Sequence, residues 1–318
     1  MSLHRYKTSS KSDFLVFSES PLIKALIELM FKPLPLIVSF LLFMPYQLIF
    51  ASQNFDEIRV QAQLADDSYL NPNELVTALK KSGQVLVHQT MITESQVSYF
   101  LSEADGVQTI SVRGTANLKN AMVDLDIELQ QDPILQIKLH QGFAAAARAV
   151  YQDMKPYLKK DQPIDLTGHS LGGAIAVVLG MYLQNDNFTV QQMTTFGQPK
   201  VTNVTGTEKF SQLPLIRVVT KHDIVPLVPP ISPSQIQDLD IYWHMGIEVI
   251  LMGDGEYAET SGVKSVLRAT KFTSSLPSKK NTNAHKMTTY ITLIDAAKKA
   301  PKEIPYKMDI TLWGISLN

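Results

Sequence analysis

The stretch Leu166–Gly173 constrains the fold of this chain more than any other, and it reads Leu-Thr-Gly-His-Ser-Leu-Gly-Gly. It contains Gly168-His169-Ser170-Leu171-Gly172, the G-x-S-x-G pattern of a turn in which a strand passes sharply into a helix and presents a serine hydroxyl at its tip. The backbone at the serine is strained, and glycines flank it because a Cβ atom there would keep the strand and the helix apart. The pattern predicts a nucleophile at Ser170, with a glycine-rich turn between core elements as the alternative.

The residues on either side of this motif fit a strand followed by a helix. Pro163–Thr167 is a strand candidate, and Ala174–Leu183 is an apolar helix candidate rich in small residues. Further helices are predicted at 56–64, 72–81, 144–157 and 287–300, further strands at 96–101, 107–112, 191–196 and 215–219, and a polar loop at 274–283. The turn residues Glu103–Gly106 predict a hairpin between two of these strands. The alternation predicts an α/β fold with a mostly parallel sheet and helices on both faces.

Composition excludes several classes of site. The chain has 318 residues and a net charge of −1, from 29 basic and 30 acidic side chains. This balance gives no electrostatic reason to expect a nucleic-acid partner. The chain contains no cysteine, so disulfides, thiolate metal sites and cysteine nucleophiles are excluded.

The amino-terminal segment differs from the rest of the chain. Leu34–Phe50 is almost wholly apolar and is followed by small and polar residues. A basic residue, an apolar core and small residues in this order are typical of a secretory signal, and Met30–Ala51 has suitable proportions. We therefore expect residues 1–53 to be an extension that carries a signal peptide, and residues 54–318 to form one domain of an exported protein. An uncleaved membrane anchor formed by the same apolar segment is the alternative.

A serine nucleophile needs a base to take its proton and a carboxylate to fix the tautomer of that base. In hydrolases built on this turn, the order along the chain is serine, acid, histidine. Asp223 is the favoured acid because it follows the strand candidate Leu215–Val219, and open α/β sheets place their sites at the carboxyl ends of strands. A turn aspartate is the alternative reading, and Asp238, Asp240 and Asp254 lie in less strand-terminal settings.

Three histidines follow Ser170 in the sequence. His285 is the favoured base because it lies between the predicted polar loop and the last predicted helix, where a side chain can face a cleft. His244 lies within the apolar stretch Tyr242–Ile247, which favours a structural role. His222 adjoins the acid candidate and is too close in sequence to serve from a separate loop.

The developing oxyanion of an acyl-transfer reaction needs preorganised donors. The backbone N–H of Leu171, the residue after the nucleophile, is the first candidate. The second must come from another loop, and Thr115, at the end of the strand-terminal stretch Val112–Thr115, offers both an N–H and a hydroxyl. An ordinary strand-end turn is the alternative for this stretch.

Together these residues resemble the class 3 lipases, the family of fungal-type triacylglycerol lipases with the α/β-hydrolase fold. The matching segments are collinear over roughly Asn54–Ala300. They are Val112-Arg113-Gly114-Thr115, His140-Gln141-Gly142-Phe143, Thr167–Gly173, Thr195–Val201, His222-Asp223-Ile224-Val225-Pro226 with Pro229-Pro230, His244-Met245-Gly246, and His285 with Tyr290. The resemblance implies a triad of Ser170, Asp223 and His285. It also implies Thr115 and Leu171 as oxyanion donors, and structural roles for His140, Phe143, His169 and His244.

The chain departs from the family in two respects. Secreted fungal members usually carry disulfides, so a bacterial-type exported member is the better comparison. The segment Ala116–Lys138, where the family places its lid, does not match residue by residue. An amphipathic lid over Ser170 and an ordinary surface helix with a loop both fit this segment.

These observations predict an exported serine ester hydrolase that needs no metal or other cofactor. A triacylglycerol lipase, acting on lipid esters through an acyl-enzyme at a lipid–water interface, is the leading hypothesis. A phospholipase or a polysaccharide-directed feruloyl or acetyl esterase would use the same triad. The alternative of a different class is a membrane-tethered binding protein with a hydrolase-like fold and no catalytic activity.

Overall fold

The computed structural model describes residues 53–306, except for 94, 116–127, 231–234, 236, 239, 263–264 and 266–277, and the backbone of 310–312 and 315–317. The predicted signal segment Leu34–Phe50 lies outside the described residues. So does the greater part of the predicted lid, of which only residues 128–138 are described.

Helices and strands alternate through the described part of the chain. The helices are α1 (Phe55–Asp67), α2 (Pro72–Lys81), α3 (Gln141–Met154), α4 (Leu171–Asn185), α5 (Val204–Lys209), α6 (Lys279–Ala284) and α7 (Met287–Lys299). The strands are β1 (Val85–Ile92), β2 (Val97–Ala104), β3 (Val107–Val112), β4 (Leu129–Gln131), β5 (Lys138–His140), β6 (Ile164–His169), β7 (Val190–Phe196), β8 (Thr202–Asn203), β9 (Leu215–Thr220), β10 (Tyr242–Trp243), β11 (Ile247–Gly253), β12 (Glu256–Thr260), β13 (Lys302–Glu303), β14 (Ile310–Leu312) and β15 (Ile315–Leu317). Short 3₁₀ turns lie at Lys155–Tyr157 and Val225–Leu227.

The main sheet has the strand order β1-β2-β3-β6-β7-β9-β11-β12-β13. Its centre, from β3 through β6, β7 and β9 to β11, is parallel throughout. The flanking pairs β1–β2, β2–β3 and β11–β12 are antiparallel. The predicted mostly parallel sheet is therefore confirmed, and the carboxyl ends of its central strands lie along one edge.

Helices cover both faces of this sheet, as predicted. On one face α3 and α4 pack over inward-facing side chains such as Leu166 and Met193. On the other face α1 and α7 pack over Phe196 and Val218. Strand side chains alternate between these two apolar clusters, and burial of apolar area on both faces is the main stabilising contribution.

The helix α4 is the most extensively buried helix of the described chain. Every residue from Gly172 to Leu183 is buried. A helix that is apolar all round belongs in a protein interior, and its small residues let it lie close to the sheet. The residue at its amino-terminal cap is Ser170, so a helix fixed in the core carries the candidate nucleophile.

Two sequence-based expectations can be compared directly with the structure. The β2–β3 hairpin turns at Asp105 and Gly106, whose φ values of 51° and 78° are those of a type I′ turn, and the predicted hairpin is confirmed. The expected loop at 274–283 is wrong for its last residues, because Lys279–Ala284 is helical. Ser278 accepts a hydrogen bond from the Asn281 N–H while the Asn281 side chain accepts from the Ser278 N–H, and this reciprocal cap stabilises a short helix in a polar sequence.

Candidate active site

Ser170 lies on a strained turn between β6 and α4. Its φ of 58° and ψ of −130° are unfavourable for a residue with a side chain and cost on the order of 1–3 kcal/mol. The Ser170 N–H donates to the carbonyl of Phe196, the last residue of β7, at 2.8 Å. The turn is thus held by the neighbouring strand, which points the serine side chain beyond the carboxyl edge of the sheet.

The two glycines that flank Ser170 are required by close backbone approach. A Cβ atom on Gly168 would lie 2.6 Å from the carbonyl carbon of Gly172. A Cβ atom on Gly172 would lie 2.2 Å from the carbonyl oxygen of Val112, at the end of β3. The glycines therefore bring the loop after β3 against the start of α4, as well as allowing the turn itself.

Asp223 and His285 are brought together from positions 62 residues apart. Asp223 follows β9, and His285 follows α6. Nδ1 of His285 lies 2.7 Å from Oδ2 of Asp223, and both side chains are buried. Because the carboxylate is an acceptor, Nδ1 carries the proton and Nε2 is left as the basic nitrogen.

Two further hydrogen bonds join the segments that carry this pair. The hydroxyl of Thr220, at the end of β9, donates to the carbonyl of Ala284 at 2.9 Å. The amide Nδ2 of Asn281, on α6, donates to the carbonyl of His222 at 2.9 Å. The acid turn and the base-bearing helix are therefore tied together on both sides of the Asp223–His285 contact.

Tyr290 is a functional-site residue to which sequence reasoning gave no role. Its hydroxyl donates to Oδ2 of Asp223 at 2.5 Å, and the Val225 N–H donates to Oδ1 at 2.9 Å. Burial by itself raises the pKa of the Asp223 carboxyl, but His285, Tyr290 and Val225 together bring the pKa below its usual 3.8. The acid is therefore ionised throughout the neutral range.

Two buried atoms at this site have no hydrogen-bond partner among the described residues. They are Oγ of Ser170 and Nε2 of His285. Unsatisfied buried polar atoms are costly, and in native structures they need an explanation. A hydroxyl and a basic nitrogen left free at one site are suited to a reacting group, since catalytic hydrogen bonds are often loose before substrate binds.

The predicted oxyanion donors belong to two segments that both adjoin Ser170. Leu171 is the first residue of α4, where backbone N–H groups have no partner within the helix. A Cβ atom on Gly114 would lie 3.2 Å from Cβ of Ser170, so the loop that carries Thr115 passes beside the serine. Thr115 and His285 both line a cleft of about 410 Å³. The structure thus brings the five predicted site residues to one edge of the sheet.

The other acids and histidines considered from sequence have separate contacts. Asp240 pairs with Lys138 and accepts from Asn203, Asp254 occupies the β11–β12 turn, and Asp238 is exposed. His244 is buried, with Nε2 2.7 Å from the carbonyl of Pro226. The exposed His222 offers only its backbone carbonyl to α6. In the described part of the chain, none of these side chains forms a hydrogen bond or ion pair with Asp223, His285 or Ser170.

Among the described residues, no group of three or more histidine, aspartate or glutamate side chains is arranged to hold a metal ion. No helix in the same residues has both the length and the apolar character needed to span a bilayer.

The parallel sheet, its covering helices and the turn at Ser170 are those of the α/β-hydrolase fold. Residues 109–232 match the family model described as Lipase (class 3). A secreted mono- and diacylglycerol lipase from Fusarium solani is 26% identical over 221 residues, which are 60% of this chain and 64% of the relative. A lipase from Rhizopus niveus is 30% identical over 165 residues, or 47% of this chain and 42% of the relative. This chain therefore spans less than two thirds of the length of these relatives.

A solved lipase structure has the same fold as this chain. The triacylglyceride lipase of Rhizomucor miehei superimposes with a TM-score of 0.51 at 20% identity, over 62% of this chain and 79% of that structure. The family model and the two relatives confirm the resemblance to class 3 lipases found in the sequence.

Proposed function

We propose that this protein is a serine-dependent carboxylic ester hydrolase, and specifically a triacylglycerol lipase. The observation that carries the proposal is the combination of a buried Asp223–His285 contact of 2.7 Å with unpaired Oγ of Ser170 and Nε2 of His285. A stabilised acid, an oriented imidazole and a strained serine are the parts that acyl transfer requires.

In the proposed reaction, Nε2 of His285 takes the hydroxyl proton as Oγ of Ser170 attacks the ester carbonyl carbon. The N–H of Leu171 and the N–H and hydroxyl of Thr115 donate to the resulting oxyanion. His285 then gives its proton to the alkoxide leaving group, and the acyl group remains on Ser170. Water, deprotonated by His285, hydrolyses this acyl-enzyme and restores the serine. Asp223 stays ionised and stabilises the imidazolium formed in both halves of the cycle.

The acyl substrate class is inferred from the relatives. The Fusarium relative is named for mono- and diacylglycerols and the Rhizomucor structure for triacylglyceride. Acylglycerol esters are the class common to both names. The cleft beside His285 is partly lined by Met287 and Thr288, which gives an ester chain apolar surface next to the proposed base.

The nucleophile assignment is tested with Ser170→Ala. We expect the variant to keep the melting temperature of the wild type or exceed it, while hydrolysis of a chromogenic acyl ester falls by about 10⁶-fold. A fluorophosphonate probe should label the wild type and not the variant. A variant with full activity would refute the assignment, and an unlabelled, inactive wild type would favour a binding protein.

The substrate assignment is tested with a panel on the same preparation. Triacylglycerol emulsions, phospholipid vesicles, and soluble feruloyl and acetyl esters should be hydrolysed in proportions that favour the triacylglycerol. Preference for phospholipid or for the soluble esters would be compatible with the triad but would contradict triacylglycerol as the substrate class. A rate that rises when the triacylglycerol passes its solubility limit would support a lid at Ala116–Lys138.

We also propose that residues 54–318 form the exported domain. The relative from Fusarium is named as secreted, and Leu34–Phe50 has the character of a signal core. Amino-terminal sequencing of protein recovered outside the cytoplasm tests this. A product that begins near Asn54 supports cleavage, whereas one that retains Leu34–Phe50 supports an anchor.

A further inference from the structure

A second set of hydrogen bonds runs beside the Asp223–His285 pair and shares no side chain with it. Tyr69 follows α1, and its hydroxyl lies 2.8 Å from Nδ1 of His169. His169 is the last residue of β6 and immediately precedes Ser170. Nε2 of His169 lies 2.7 Å from the backbone carbonyl oxygen of His285. The ring of His169 therefore bridges Tyr69 and the backbone of the proposed base.

The direction of each hydrogen bond follows from the groups involved. The carbonyl of His285 can only accept, so Nε2 of His169 carries the proton. Nδ1 is then a lone-pair acceptor when the ring is neutral, and the Tyr69 hydroxyl donates to it. The Gly114 N–H in turn donates to the Tyr69 oxygen. These hydrogen bonds form a continuous series, which runs from the Gly114 N–H through Tyr69 and His169 to the carbonyl of His285.

The neutral state of His169 is favoured by its surroundings. Burial, together with the neighbouring His285, lowers the pKa of His169 to about 3. Burial also raises the pKa of Tyr69 to about 12. Both groups therefore keep one protonation state across the neutral range, and the direction of the hydrogen bonds does not change there.

The residues joined by this series of hydrogen bonds adjoin or include the proposed catalytic groups. Gly114 precedes the oxyanion donor Thr115, His169 precedes the nucleophile Ser170, and His285 is the base. We propose that Tyr69 and His169 are positioning residues, which fix the oxyanion loop and the backbone of His285 relative to Ser170. This proposal rests on the hydrolase function proposed above.

The packing around these residues leaves them little freedom to move. A Cβ atom on Gly114 would lie 2.5 Å from the Tyr69 oxygen and 2.5 Å from the carbonyl oxygen of His169. The rings of His169 and His285 are 4.4 Å apart between centroids. The loop is therefore in contact with the hydroxyl that holds it, and a small shift of Tyr69 is passed to Gly114.

The first test is Tyr69→Phe, which removes one oxygen and keeps the ring. We expect kcat for the ester to fall about 10- to 100-fold, with KM within about twofold, because the reacting groups lose alignment while substrate binding is retained. The matched control is Tyr99→Phe. Tyr99 is a buried tyrosine on β2 whose hydroxyl donates to Asp153 at 2.5 Å and takes no part in the hydrogen bonds from Gly114 to His285, so this variant should keep the wild-type kcat. Equal effects of the two substitutions on kcat, or no effect of Tyr69→Phe, would overturn the proposal.

The second test separates the two hydrogen bonds of the His169 ring. In His169→Asn the amide can replace the acceptor at Nδ1, and in His169→Gln it can replace the donor at Nε2. Both variants should retain more kcat than His169→Leu. Because the bonds act in series, Tyr69→Phe should add little to the loss in His169→Leu, which a double-mutant cycle measures. Fully additive losses in kcat would contradict the proposal.

A readout that does not need activity distinguishes this proposal from the hydrolase assignment. Nitrogen-15 NMR of the His169 ring should show a protonated Nε2 and an unprotonated Nδ1, with the Nδ1 shift altered in Tyr69→Phe. A wild type that lacks Ser170-dependent hydrolysis but shows this signature would refute the hydrolase function alone. Protonation at Nδ1 in an active wild type would refute the positioning role alone.

Discussion

The hydroxyl of Tyr290 lies 2.5 Å from Oδ2 of Asp223, the same oxygen that accepts the proton of His285 Nδ1. A single carboxylate oxygen therefore serves two donors, one from α7 and one from the segment before it. Because Oδ2 accepts both hydrogen bonds at once, the two donors together fix the plane of the carboxylate. The fixed carboxylate in turn limits rotation of the His285 imidazole.

Tyr290→Phe should weaken both function and stability. Loss of a buried hydrogen bond to a charged group should lower the free energy of unfolding by about 2 kcal/mol, and kcat should fall by about 3- to 10-fold through poorer positioning of His285. Thermal unfolding and ester kinetics measure the two effects.

The pKa of Asp223 determines how the stability of Tyr290→Phe changes at acid pH. The folded pKa of Asp223 is depressed, so this group contributes stability above its unfolded pKa, and the contribution is lost as pH falls through the folded pKa. Removing the Tyr290 donor raises the folded pKa, so the stability difference between the two proteins should shrink as pH falls below the usual carboxyl pKa of 3.8. A difference that stays constant down to pH 2 would contradict this explanation.

Gly197→Ala should inactivate the proposed enzyme. A Cβ atom at this position, where φ is +60°, would lie 2.8 Å from Oδ2 of Asp223 and 2.8 Å from Nδ1 of His285. The pair must separate to admit it, and misplacement by about 1 Å costs on the order of 100-fold in rate. The expected result is a loss of kcat of about that size at unchanged protein concentration.

The control for backbone strain is Gly106→Ala. Gly106 has a φ of +78° with no atom within 4 Å of the added Cβ, so this variant should lose about 1 kcal/mol of stability and keep its activity. Equal losses of activity in the two alanine variants would show that strain, and not contact with the pair, causes the effect.

Thr115→Val tests whether the side-chain hydroxyl helps to bind the oxyanion. The substitution keeps the backbone N–H and removes the hydroxyl from an exposed residue beside the cleft. We expect kcat to fall by about 100-fold, as for loss of one oxyanion donor, with a melting temperature close to the wild type. Thr115→Ser retains the hydroxyl and should retain most of the rate. A Thr115→Val rate close to that of the wild type would show that the hydroxyl does not bind the oxyanion.

Asp165→Asn should stabilise the protein at alkaline pH. Burial and the nearby Glu57 raise the pKa of Asp165 to about 6. Its stabilising contribution is therefore fully present below about pH 3.8 and is lost as pH rises through about 6. Gln61 donates through Nε2 to Oδ2 of Asp165 at 3.1 Å, and the asparagine oxygen can still accept this hydrogen bond.

The expected gain is about 1 kcal/mol in the free energy of unfolding at pH 8, with little change at pH 4. Urea denaturation at both pH values measures it. Because Asp165 lies at the start of the parallel strand β6, at the end opposite Ser170, activity should not change. A gain of the same size at both pH values would point to packing as the cause and not ionisation.

Sequence patterns predicted the local parts of the structure well. The capped helix α2 has the predicted limits, Pro72–Lys81, because its signals lie within a few residues of one another. The strands β1, β11 and β12 were not predicted. The strand β1 lacks alternating burial, whereas β11 and β12 form a hairpin with each other around the turn at Asp254 and Gly255, a local signal that went unused. The helix α6 was missed because its cap uses asparagine in place of the usual acidic residue.

In the candidate site too, local sequence predicts some residues and only the assembled fold reveals the others. The turn at Ser170 is encoded in consecutive residues, and Asp223 could be favoured from the end of its strand. The contacts of Tyr290 with Asp223 and of Tyr69 with His169 join residues 67 and 100 positions apart. No local pattern specifies such contacts, because they arise only when the sheet and its covering helices have assembled.

The hydrogen bonds from Thr220 to Ala284 and from Asn281 to His222 also have an architectural consequence. They clamp together the two ends of the segment that separates the acid from the base, and this segment includes β11 and β12 of the main sheet. In the connections between its strands, a change of length alters the closure entropy only slowly. These connections can therefore vary in length without moving Asp223 away from His285.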